Sequence, residues 1–399
     1  MTKNVKSFLI QIKYITKNIK NMNFQITNLT FKKYPAQTAD AIYIQEFSKA
    51  FSSILGTNYT LTVGKKNGPI LGVKSVIVPK ITKGSFRTLT YFLWVGKHVF
   101  FINKGHIYFS NDKFLLSAVI IWRRIFFKKV YIVSDWHMID KNWKDNFVAK
   151  NSIALIATSK RLKENIINNF NILGQKIFVA YGGINAGFDE NKKLNKLELR
   201  KKLHLPSHTF LIGYVGLFKT LGQEKDIDTM IMACKKLKKE NLKDPFLFVF
   251  VGGNNKEILE YKQLAKKHKV NELCLFFEKK DPATAFLFEC ALDVLVIPYP
   301  NKFHYREYGF PMKVYEYMQS GTPIVYSNLK ILTEVLEPYA TSFESDNYNS
   351  LSQVIKKIMK KPDFFRERTL KAKQIVLSKY TWKKKTENII KFIKTRISE

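Results

Sequence analysis

At 399 residues the chain is too long for one ordinary core and fits two domains of roughly 180 to 200 residues each. Lys and Arg number 67 against 32 Asp and Glu, a formal net charge of +35 that calls for a polyanion: nucleic acid, anionic lipid or a phosphorylated substrate. The three cysteines, Cys234, Cys274 and Cys290, have neither metal-type nor redox-type spacing, which excludes a disulfide framework and points to buried thiols in a reducing compartment.

Residues 1–22 form a basic amphipathic segment. Val5, Phe8, Ile12, Ile15, Ile19 and Met22 recur at helical spacing, and Lys3, Lys6, Lys13, Lys17 and Lys20 interleave with no acid. The segment lacks the apolar run and cleavage site of a signal peptide. Membrane-surface anchor, packing helix and untranslated leader all remain open readings, because Met22 directly precedes the first strand pattern.

Phe24–Phe31 alternates like a strand, and Ala39–Leu55 reads as a helix with Asp40 in its first turn and Gly56 after it. That strand, loop and helix open a doubly wound half. Further strands are expected at Thr60–Val63, His98–Asn103, Val130–Val133, Ile153–Ala157 and Ile177–Ala180, with helices near Phe114–Phe127 and Arg161–Asn169. From Lys74 to Lys129 the sole acid is Asp112, against eleven Lys and Arg. Within that region Phe114–Trp122 is apolar but too short to span a bilayer. It reads either as an interfacial helix on anionic lipid or as a core helix with a solvated basic end.

After the charged stretch Asp189–Lys202, the second half opens with a strand at Phe210–Gly216 and a helix at Asp228–Lys239. Strands follow at Phe246–Val251, Leu273–Phe277 and Val294–Ile297. Their near-unbroken apolar runs fit a parallel sheet covered on both faces. Asn347–Lys360 and Pro362–Leu377 read as helices, and another follows Trp382.

The run from Gly309 to Val325 carries the most chemistry. Gly309 permits an unusual backbone angle and Pro311 suits a first helical turn, so the amides of Phe310, Pro311's neighbour Met312 and Lys313 point outward beside a lysine. Anions bind such a helix start. Glu316 stands one turn on, placed to accept hydrogen bonds from sugar or ribose hydroxyls, and Gly321-Thr322-Pro323 ends the helix before a strand at Ile324-Val325.

This run resembles the donor loop of the retaining, group 1 or family 4-like, nucleotide-sugar glycosyltransferases of the two-Rossmann-domain (GT-B) type. The likeness covers Pro311, Lys313, Glu316, Tyr317, Met318, Gly321 and Pro323, while the first glutamate of the family's Glu-x7-Glu element falls at Tyr308, with Glu307 beside it. The resemblance implies an α/β chain of two Rossmann-like doubly wound domains facing across a cleft. Residues 23–190 would form the acceptor domain, 191–378 the donor domain, and 379–399 a helix returning to the first domain.

It further implies that Gly216, Lys219, Lys225, Phe310, Pro311, Met312 and Lys313 hold the donor diphosphate and sugar, that Glu316 holds the ribose, and that Glu278 and Lys279 lie at the nucleobase. His137, oriented by Asp135, would face the reacting sugar; imidazole titrates in the useful range. No metal and no cofactor besides the UDP- or GDP-linked donor is expected, because amides and lysines carry the leaving-group charge.

The expected function is transfer of a sugar to an acceptor hydroxyl with retention, in cell-surface polysaccharide or glycolipid synthesis, with a glycan or lipid-linked acceptor. The expected site of action is cytoplasmic, peripheral on the inner face of a membrane, with the basic first domain against anionic lipid. Alternatives are a nucleotide-sugar epimerase or hydrolase on the same fold, or a basic nucleic-acid-binding protein. The last is motivated by charge alone, since no nucleic-acid module is present, and no nucleic-acid partner is expected.

Overall fold

The computed structural model describes residues 25–34, 39–66, 70, 72–78, 85–185, 195–220, 222–240, 242–309 and 312–399. The amphipathic segment 1–22 and the loop residues Phe310 and Pro311 lie outside the described residues. Two compact units result. Unit 1 holds the described chain to Thr158, Leu162–Tyr181 and Trp382–Glu399; unit 2 holds Ser159–Arg161 and Gly182–Thr381.

Unit 1 is built on a parallel sheet of β1 (Ile26–Asn28), β2 (Tyr59–Val63), β3 (Ser75–Ile77), β4 (Ile107–Ser110), β5 (Tyr131–Trp136), β6 (Ala154–Ala157) and β7 (Ile177–Val179), in the order β3-β2-β1-β4-β5-β6-β7. The reversal of direction at β1 is the doubly wound pattern. Its helices are α1 (Ala39–Leu55), α2 (Ser85–Phe101), α3 (Lys113–Ile125), α4 (Trp143–Asn151) and α5 (Lys160–Phe170).

Two sequence expectations need correction here. His98–Asn103 is not a strand, because His98 to Phe101 is the last turn of α2. The β-branched and aromatic run Val99-Phe100-Phe101 has strand propensity, which helix packing overrides. The strand of that region is β4, fully buried, which begins two residues after the Gly105 turn. Phe114–Trp122 is not an interfacial helix either. Leu115, Leu116, Ala118, Val119 and Ile120 of α3 are buried in the core of unit 1, while Asp112 caps the helix by accepting from the amides of Phe114 and Leu115 at 2.9 and 3.2 Å. α2 lies hard against α3: a Cβ on Gly96 would sit 2.5 Å from the Trp122 ring, whose indole N–H donates to the Phe92 carbonyl at 2.8 Å.

Unit 2 repeats the plan with β8 (Phe210–Val215), β9 (Phe246–Gly253), β10 (Cys274–Glu278), β11 (Val294–Ile297), β12 (Ile324–Ser327) and β13 (Thr341–Phe343), all parallel, in the order β10-β9-β8-β11-β12-β13. Its helices are α6 (Lys196–Lys202), α7 (Ile227–Lys239), α8 (Asn255–Lys267), α9 (Pro282–Ala291), α10 (Phe303–Glu307), α11 (Lys313–Ser320), α12 (Lys330–Leu336), α13 (Tyr348–Lys360) and α14 (Pro362–Lys379). The final helix, α15 (Trp382–Ser398), belongs to unit 1. Its Trp382 ring packs edge-on against Tyr43 of α1 at 5.3 Å, and Phe392 stacks on Phe178 of β7 at 5.3 Å.

Candidate active site

In unit 2, β8 ends at the point where strand order reverses. Gly216 there has φ +148° and Gly252 has φ +125°, both in the region that favours glycine. A Cβ on Gly216 would collide with the Lys313 side chain, and one on Gly252 with the backbone of Gly216. These two strand ends therefore pack closely on each other and on Lys313, linked by the Gly216 amide donating to the Val251 carbonyl at 2.7 Å.

α11 is latched onto this edge. The Tyr317 hydroxyl accepts from the Val215 amide at 2.8 Å and donates to the Val215 carbonyl at 3.1 Å, and the Lys313 ammonium donates to the same carbonyl. The Lys313 Nζ also lies 5.4 and 5.1 Å from the ring centres of Tyr214 and Tyr317. Gly321, at φ +75°, ends the helix as expected.

Lys225 comes in from the other side. It is 9% exposed, and its Nζ lies 4.6 Å from the ring centres of both Tyr299 and Tyr305. Among the described residues no carboxylate is in ion-pair contact with Lys225 or Lys313. Burial, and then the charge of Lys313, lower the Lys225 ammonium to about 8. Ring faces stabilise such a cation in part. They do not neutralise it.

The acids nearby are set differently. Burial first, and then the charge of Glu316, push the carboxyl of buried Glu289 well above the ordinary range, with Lys313 opposing. Glu316 is half-buried in the first turn of α11, next to half-buried Met312, whose carbonyl accepts from the amides of Tyr315 and Glu316. Glu278 closes β10 in register with Gly253, and the amide of Lys279 donates to the Gly253 carbonyl at 3.2 Å; both side chains are exposed.

Gly216, Lys225, Lys313 and Glu316 thus share the carboxyl edge of the unit 2 sheet, with Glu278 and Lys279 at the end of β10. Lys219 does not join them, being paired with Glu224 at 3.1 Å and Glu260 at 3.4 Å. Tyr308 is buried and packs on Phe303, and Glu307 does not substitute for the missing motif carboxylate, because it pairs with Arg161 at 2.7 Å and Arg306 at 3.2 Å. A cavity of about 230 Å³ opens beside Glu307, lined also by Asn301, Asn328 and Lys330.

Unit 1 carries a second cluster at the end of β5. Oδ2 of Asp135 is 3.1 Å from His137 Nε2 and accepts from the Tyr43 hydroxyl at 3.1 Å; Lys385 of α15 donates to that hydroxyl at 3.0 Å. Lys113 donates to the Asp135 carbonyl at 3.1 Å and lies 4.0 Å from the Trp136 ring centre. Burial alone would raise the Asp135 carboxyl, but His137, Lys385 and Lys113 together hold it below its ordinary value. Burial lowers both lysines to about 8. His137, 37% exposed, keeps its Nδ1 edge free of the Asp135 contact.

Sequence reasoning missed the tyrosines around Lys225 and Lys313, buried Glu289, and the Tyr43, Lys113 and Lys385 support of Asp135. A signal existed for Lys385. Trp382, Lys385, Thr386, Ile389, Ile390 and Ile393 form the buried stripe of α15, so this lysine occupies a core-facing position.

Residues 195–375 match the family model of the glycosyl transferases group 1. This group 1 segment contains the whole unit 2 cluster. The chain is 30% identical over 250 residues to the uncharacterized glycosyltransferase MJ1607 of Methanocaldococcus jannaschii, covering 60% of each protein. It is 28% identical over 171 residues to the O-antigen biosynthesis glycosyltransferase WclY of Escherichia coli, covering 42% of this chain and 43% of the relative. The matches therefore span less than two thirds of either relative. Anabaena Alr3699/HepE in complex with UDP superposes with a TM-score of 0.72 at 14% identity, over 94% of this chain and 100% of that one. The likeness establishes the fold, two Rossmann-like α/β units of the GT-B glycosyltransferases.

Proposed function

We propose that the protein transfers a sugar from a nucleotide-sugar to an acceptor hydroxyl with retention of anomeric configuration. The observation that carries this reading is the pair of lysines on the unit 2 sheet edge: the charge of Lys313 adds to burial in lowering Lys225, and neither is ion-paired to a carboxylate among the described residues. A diphosphate is the ligand chemistry that relieves both. The missing Cβ at Gly216 lets the Lys313 ammonium lie against the strand end, and the two ammonium groups stabilise the departing nucleoside diphosphate without asking for a divalent cation. Glu316 accepts hydrogen bonds from the ribose, and Glu278 and Lys279 border the base of a UDP- or GDP-linked donor.

In unit 1, Asp135 fixes the His137 ring through Nε2, leaving Nδ1 to hydrogen-bond a sugar or acceptor hydroxyl. No carboxylate nucleophile is assigned. Substitution on the same face, with the leaving phosphate taking the acceptor proton, gives retention. The acceptor is a glycan or lipid-linked glycan of cell-surface polysaccharide or glycolipid synthesis, reached at the inner face of an anionic membrane. The basic first unit and the O-antigen relative support that choice.

Incubating the protein with radiolabelled UDP- and GDP-sugars and lipid-linked acceptors tests the reaction. The expected product is a labelled, extended acceptor whose new linkage keeps the donor's anomeric configuration by NMR. Free labelled sugar alone, or an isomerised donor, would replace transfer with hydrolysis or epimerisation.

A further inference from the structure

The apolar surface of unit 1 that faces outward is on α2, not on α3. Phe86, Leu89, Leu93 and Phe100 follow at spacings of three, four and seven, so they share one face of the helix, and each is at least half exposed. Phe101, at 73%, extends the stripe. The C-terminal turn of α3 continues it, because Phe126 packs against Phe100 at 5.1 Å and Phe127 beside it is 92% exposed. Trp122 of α3 closes one flank of the stripe at Gly96, and on the other side of α2 Phe31 stacks on Tyr91 at 3.7 Å.

A soluble helix does not keep such a stripe in water without a reason. Its charged neighbours name the occupant. Arg87, Lys97, Lys104, Arg124 and Lys129 are all exposed, and Lys128 sits 5.8 Å from the Phe100 ring centre. The one acid of the region, Asp112, is committed to capping the far end of α3. No helix among the described residues is long and apolar enough to cross a membrane.

We propose that α2 and the Phe126–Phe127 turn are the surface by which unit 1 lies on an anionic lipid bilayer. Phe86, Leu89, Leu93, Phe100, Phe101 and Phe127 enter the acyl boundary, and the flanking Lys and Arg side chains reach the phosphates. A second copy of the chain would set this basic face against a surface of the same sign. The proposal specifies the membrane contact of the reading above but is independent of sugar transfer, since vesicle binding is read without donor or acceptor.

The test is co-sedimentation of the full chain with vesicles of phosphatidylcholine containing 30% phosphatidylglycerol, and of phosphatidylcholine alone. The expected result is binding to the anionic vesicles that weakens at high salt, with about tenfold or more loss in the Phe86→Ser/Leu89→Gln/Leu93→Gln variant. Should that variant fail to fold by circular dichroism, Arg87→Glu/Lys97→Glu keeps the stripe and is expected to lose a similar factor. Absence of binding, equal binding to both vesicle types, or wild-type binding by the folded variant would overturn the proposal. So would a lipid-free dimer in sedimentation equilibrium that the triple variant dissociates.

Discussion

An ammonium group held among tyrosine rings, with a second lysine's charge beside it, destabilises the protein until an anion arrives. Lys225→Met should therefore move two observables in opposite directions. Thermal unfolding is expected to show the unliganded variant more stable by about 1 kcal/mol or more, while its affinity for a nucleoside diphosphate falls about tenfold or more. A lysine of purely structural value would lose stability instead. The Asp135 cluster separates two roles in the same way. Asp135→Asn leaves Lys385 and Lys113 buried beside a neutral group and is expected to cost about 3 kcal/mol in denaturant unfolding. His137→Ala, at a half-exposed ring, is expected to cost less than about 1 kcal/mol yet to remove most transfer activity. The sequence singled out Lys313 and Glu316 at a helix start, and His137 and Lys225 only through the family resemblance. It hid Tyr299, Tyr305 and Lys385, because what places them beside their partners is packing between elements distant in the chain, which no local pattern records.

Elements were most legible where one pattern had one meaning. Val294–Ile297 in unit 2, an apolar run bounded by polar residues and Pro298, is the strand its composition predicts, and Ala39–Leu55 is the helix its periodicity predicts. Ser85–Phe101 was illegible for a physical reason: its exposed stripe replaces the polar face by which a surface helix is recognised, so its apolar residues do not mark a single buried side. Its attachment to the core rests on a small residue meeting a large ring. Gly96→Val is accordingly expected to destabilise unit 1 by about 1 to 3 kcal/mol, read from the denaturant midpoint, through collision with Trp122. Gains in helix propensity at that position do not compensate. An unchanged midpoint would mean that α2 does not pack on α3 as described.

For the molecule as a whole, buried lysines set the pH response. Lys113, Lys225 and Lys385 each hold a proton less firmly folded, at about 8, than unfolded, where the ordinary value is 10.5. Between those values the unfolded chain binds more protons, so the stability of the unliganded protein should rise as pH increases from about 8 toward 10.5, with the penalty fully present below 8. Diphosphate binding restores the charge on Lys225, so near pH 8.5 it should take up a proton, visible as a dependence of binding heat on buffer ionisation enthalpy. The net charge of +35 reflects the same chemistry at larger scale, since the outer face of unit 1 gathers cations in a stretch whose one acid is a helix cap, and Lys225 and Lys313 on the unit 2 sheet edge have no ion-paired acid among the described residues. The most direct measurement is calorimetric titration of UDP, GDP and the corresponding nucleosides into the full chain and its Lys225→Met variant. One nucleoside diphosphate should bind with a single site per chain, its nucleoside should not bind detectably, and the variant should bind about tenfold or more weakly. Heat-silent titrations with both diphosphates, or undiminished affinity in the variant, would contradict a lysine-held diphosphate on the unit 2 sheet edge.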